Sequence, residues 1–85
     1  MNIKGKTAIV TGASSGIGAV FSKALIDNGA VVYGLARSED KLQKLRDEFG
    51  ESFVPVKMDV TRHDDIEAWT ERTFGDSNAP DILIN

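Results

Sequence analysis

Apolar residues along the chain fall into two alternating rhythms. Lys6-Thr7-Ala8-Ile9-Val10-Thr11 is a short run rich in β-branched residues, closed by Gly5 and Gly12, and predicts a buried strand. Beyond the glycines that follow, Ile17, Val20, Phe21, Ala24 and Leu25 recur at helical spacing and form one helical face, stopped at Asn28-Gly29. Val31-Val32-Tyr33-Gly34-Leu35-Ala36 repeats the strand pattern. Ser38 then offers an N-cap, and Glu39 and Asp40 suit the positive end of a helix dipole. Leu42, Leu45 and Phe49 supply that helix's apolar stripe, and Gly50 ends it.

Phe53-Val54-Pro55-Val56-Lys57-Met58-Asp59 reads as a third strand, and Pro55, lacking a backbone donor, assigns it to a sheet edge. Thr61 is the N-cap expected for a third helix, with Asp64 at its third position. Its inner stripe is Ile66, Trp69, Thr73 and Phe74, up to Gly75. Ser77-Asn78-Ala79-Pro80 reads as a loop, and Asp81-Ile82-Leu83-Ile84-Asn85 opens a fourth strand. The order β-α-β-α-β-α-β places the chain in the α/β class, as a doubly wound, Rossmann-type parallel sheet with helices on both faces. Strand order 3-2-1-4 puts the Pro55 strand at the edge, where it is tolerated.

Composition narrows the function classes. The 85 residues carry 10 basic and 13 acidic side chains, a formal net charge of −3, which disfavours a general nucleic-acid binder. Residues 1–57 hold eight positive and six negative charges and residues 58–85 two and seven, so the first part better suits an anionic ligand. With no cysteine, neither a disulfide scaffold nor a Cys-ligated zinc site is available, and a reducing, cytoplasmic setting is the expectation. No apolar run approaches the roughly 20 residues of a membrane helix, and residues 1–6 show no signal-peptide core.

The chemistry concentrates where the first strand meets the first helix. In Gly12-Ala13-Ser14-Ser15-Gly16-Ile17-Gly18, backbone N–H groups and a helix N-terminus together make an anion site. Gly12 can make the tight turn, Gly16 lets a ligand approach the backbone, and Gly18 lets the helix pack closely. The spacing is G-x-x-x-G-x-G. It is neither the G-x-G-x-x-G dinucleotide fingerprint nor a P-loop, which would need Gly-Lys-Ser/Thr.

Thr11-Gly12-Ala13-Ser14-Ser15-Gly16-Ile17-Gly18 resembles the T-G-x-x-x-G-I-G cofactor motif of the short-chain dehydrogenase/reductase family, and the resemblance runs the length of the chain. It implies that Gly12, Ser14, Ser15, Gly16, Ile17 and Gly18 bind a nicotinamide dinucleotide, with Ser14 and Ile17 near the ribose-phosphate region. It further implies that Asp59 accepts from the adenine amino group, Val60 flanks the ring and Asn85 lines the cofactor cleft. Family members exchange hydride with a small carbonyl or alcohol substrate and are mostly homo-oligomers; neither a nucleic acid nor a membrane is an expected partner.

The second strand's tip bears on the choice of cofactor. NAD binding calls for an acidic residue there to hold the ribose 2′-hydroxyl. Here stand Ala36-Arg37-Ser38, a charged fork and a hydroxyl suited to a 2′-phosphate, so NADP is favoured over NAD. Ser15 stands where some NADP-binding members carry a basic residue, and Glu39 opposes the preference slightly. The family's catalytic Tyr-x-x-x-Lys is missing: Tyr33, the only tyrosine, lies within a strand as a packing residue and is followed four positions later by Arg37. No catalytic residue is assigned, and the 85 residues read as the N-terminal part of a single dinucleotide-binding domain. Other readings are a non-catalytic NADP-binding regulator or an S-adenosylmethionine-binding methyltransferase, which Ala36-Arg37 argues against. His63, lone, reads as a surface residue, Trp69 and Phe74 as core, and no metal site is expected.

Overall fold

The computed structural model describes residues 3–59, 61–75 and 80–84 of the chain. Elements run β1 (Thr7–Thr11), α1 (Gly16–Asp27), β2 (Val31–Ala36), α2 (Glu39–Phe49), a short 3₁₀ turn (Gly50–Ser52), β3 (Phe53–Lys57), α3 (His63–Phe74) and β4 (Ile82–Ile84). The sheet is wholly parallel, in the order β3-β2-β1-β4. Pro55 sits on edge strand β3 opposite Gly34, where its missing donor breaks no inner ladder.

Side-chain alternation distributes the helices over both sheet faces. Ala8, Val10, Val32 and Ala36 join Ala13, Leu42 and Phe53 in one cluster, and Leu25 and Ile26 of α1 and Leu45 and Phe49 of α2 pack on it. Tyr33, adjacent to Val32, points the other way. Its ring meets Trp69 and Phe74 of α3 edge-on, with centroids 5.7 and 5.2 Å away. Tyr33 is thus a packing residue, as its place in a strand implied.

The structure differs from the sequence reading in several places. The Gly12–Gly18 segment is not wholly loop, since α1 already begins at Gly16. The apolar face of α1 packs inward only at its Leu25 end. Ile17, Val20 and Phe21 are 74%, 69% and 47% exposed, while Gly18 and Ser22 are buried beside Leu25 and Ile26. Ser22 sits inside because its hydroxyl donates to the Gly18 carbonyl at 2.8 Å, which satisfies the polar group within the helix. Lastly, Thr61 does not cap α3. Its hydroxyl and amide are taken by Asp59, and the helix starts at His63 with Arg62 as N-cap. In α3, Thr70 is half-buried and Thr73 exposed, so the inner stripe runs Ile66, Trp69, Thr70, Phe74. Of the expected loop only Pro80 is described, and the side chain of His63 also lies outside the described residues.

Candidate functional site

The β1–α1 junction is built from backbone. Gly12 turns the chain at φ +64°, a left-handed conformation that favours glycine. The Ala13 amide donates to the Leu35 carbonyl, tying the turn to β2. Ser15 is the N-cap of α1: its Oγ accepts from the Gly18 amide at 3.1 Å and donates to the Gly12 carbonyl at 2.8 Å. A Cβ on Gly18 would stand 2.2 Å from the Gly12 oxygen, so the helix can rest on the turn only without a side chain there. Thr11 ties β1 to β4 through its hydroxyl, which donates to the Ile84 carbonyl at 3.2 Å.

A groove of about 340 Å³ opens beside this junction, lined by Thr11, Gly12, Ser15, Ile17, Gly18, Phe21 and Ile84. It lies past the carboxyl ends of β1 and β4, where the strand order reverses, the usual ligand crevice of an open α/β sheet. Of the three helices among the described residues, α1 alone has no acidic residue in its first turn; α2 has Glu39 and Asp40, and α3 has Asp64 and Asp65. Its dipole is therefore not offset by its own side chains. That contrast is a signal in the sequence that motif reading passed over.

Two further groups meet along the same sheet edge. Ser38 is the N-cap of α2 by position, but its side chain makes no cap bond; Arg37 beside it is exposed. The Asp59 carboxyl is held below its ordinary range, chiefly by the Thr61 hydroxyl at 2.7 Å, then by the Thr61 amide at 3.0 Å, with Arg37 and Arg62 adding attraction. Both bonds from Thr61 end on Oδ1, and Oδ2 takes part in neither. Val60 and Asn85, also read as site residues, lie outside the described residues. No group of three or more potential metal ligands occurs among the described residues, and no helix there is long and apolar enough to cross a membrane.

Comparison with known proteins agrees with this geometry. Residues 6–85 match the short chain dehydrogenase family. Over 85 residues the chain is 39% identical to the 3-oxoacyl-(acyl-carrier-protein) reductase of Vibrio harveyi, covering 100% of this chain and 35% of that protein. Over 88 residues it is 43% identical to the farnesol dehydrogenase of Aedes aegypti, covering 95% and 35%. The crystal structure of L-sorbose reductase from Gluconobacter frateurii, complexed with NADPH and L-sorbose, superposes with a TM-score of 0.79 at 32% identity, covering 100% of this chain and 35% of that one. The chain thus spans about a third of the length of these relatives. With this motif, strand order and match over nearly all its residues, the chain belongs to the short chain dehydrogenase family.

Proposed function

We propose that the chain forms the adenine and pyrophosphate side of a nicotinamide dinucleotide site, in an oxidoreductase that moves hydride between NADP(H) and a carbonyl or alcohol. One observation carries the reading: an acid-free helix N-terminus, capped by Ser15 and pressed against Gly12, opens on a groove at the reversal of strand order. The fit to a diphosphate is steric as well as electrostatic. Apart from its chain neighbours and its own helix backbone, a Cβ on Gly16 would meet nothing within 4 Å, so the space over the helix start is free for a ligand. In this proposal the amides of Ser14, Gly16 and Ile17 hold the diphosphate, the Ser15 and Gly18 amides being spent within the turn, Gly12, Ser15 and Gly18 shape the cradle, and Ile17 borders the ribose. Asp59 accepts from adenine through Oδ2, and Val60 and Asn85 complete the cleft. Arg37 and Ser38 hold a 2′-phosphate. The bound cofactor would supply the hydride; these residues orient it and exclude water from its adenine end.

We also propose that residues 1–85 are the first part of one dinucleotide-binding domain, with the catalytic Tyr-x-x-x-Lys beyond them. The exposed stripe Ile17, Val20, Phe21 and the apolar strand β4 at the sheet edge support this, as does the length of the relatives. The complete gene product should consume NADPH with a carbonyl substrate. Failure to bind either nicotinamide cofactor would refute the assignment, and binding without turnover would make the protein a sensor.

A further inference from the structure

The register of β2 and β3 pairs Ala36 with Lys57, which sets Lys57 beside the strand tip that leads into Arg37 and Ser38. The Nζ of Lys57 lies 3.7 Å from Oε2 of Glu39, the first residue of α2. Both side chains are largely in solvent, so the pair contributes little to folding and its effect falls on the local potential. Glu39 stands two residues from Arg37. A phosphate held by Arg37 and Ser38 would lie within a Debye length of the Glu39 carboxylate, about 8 Å at physiological salt. Unopposed, that carboxylate repels the phosphate; with an ammonium beside it, most of the repulsion cancels.

We propose that Lys57 is a specificity-determining residue that neutralises Glu39 and so lets the Arg37–Ser38 tip accept a 2′-phosphorylated dinucleotide. The proposal rests on the reading of Arg37 given above. It requires no contact between Lys57 and the cofactor, because the lysine acts through Glu39. Lys57 therefore matters most while Glu39 is charged.

Titration of the complete protein with NADPH and with NADH tests this, using Lys57→Met, Glu39→Gln, the double variant, Lys57→Arg and Arg37→Ala. Lys57→Met should weaken NADPH binding about five-fold, the effect of one unit charge on a dianion across a solvent-rich surface, and leave NADH unchanged. Lys57→Arg should keep the original ratio of affinities. Glu39→Gln should tighten NADPH binding alone, and in the double variant it should restore most of what Lys57→Met lost. If Arg37→Ala lowers the NADPH preference but Lys57→Met does not, the proposal fails and the Arg37 reading stands. A Lys57→Met loss that Glu39→Gln does not relieve, or that falls equally on NADH, also overturns it. If Arg37→Ala changes nothing, the underlying reading fails and the proposal with it.

Discussion

The chain passes from strand to helix through a serine twice near the candidate site, and the two passages are built differently. At β1–α1 the serine hydroxyl is committed on both sides, to the Gly18 amide and the Gly12 carbonyl, and the first turn has no acid. At β2–α2 the serine makes no cap bond, the first turn carries Glu39 and Asp40, and Arg37 projects into solvent. One junction is hydrogen-bonded backbone whose helix start carries no acid; the other presents side chains of mixed charge. A backbone cradle holds what all nicotinamide dinucleotides share, the diphosphate, whereas charged side chains can sense the single group by which they differ.

The contrast can be broken most severely at Gly18. Alanine there drives a methyl group into the Gly12 carbonyl, and overpacking of this kind costs about 2–3 kcal/mol, read by denaturant unfolding. The same variant should lose affinity for NADPH and NADH alike. At the other junction, Arg37→Ala should cost about 1.5–3 kcal/mol of NADPH binding, the worth of a charged hydrogen bond, with NADH affinity and unfolding midpoint unchanged. Ser15→Ala removes a working N-cap and should cost about 1 kcal/mol of stability by urea unfolding, whereas Ser38→Ala, whose hydroxyl caps nothing, should cost far less. The smallest effect lies at Asp59. Its carboxyl is held low when folded, so its stabilising contribution is complete above the ordinary carboxylate range and is lost as pH falls through its depressed value. Asp59→Asn should flatten that acid limb of the stability–pH curve.

Much of the fold was legible because the strands of this parallel sheet read as continuous apolar runs, and Pro55 marked the edge. The face of α1 was legible only at Leu25. Periodicity shows which residues share a side, but not which side meets the sheet; Ser22 is buried because its hydroxyl bonds within the helix, which no hydropathy pattern records. The start of α3 was misread because the Asp59 carboxylate and the helix start compete for the Thr61 hydroxyl, which donates back to the carboxylate rather than capping the helix. At the site, the glycine spacing located the turn and the helix start. It did not show that Ser15 is spent as a cap, or that Lys57 arrives beside Glu39 through strand register.

The central claim is that the amides of the β1–α1 junction hold a dinucleotide's diphosphate. Amide hydrogen exchange on the complete protein, with and without NADPH, tests it directly. New protection concentrated on the Ser14, Gly16 and Ile17 amides is the predicted result; unchanged exchange there, with protection appearing elsewhere at saturating cofactor, would contradict it.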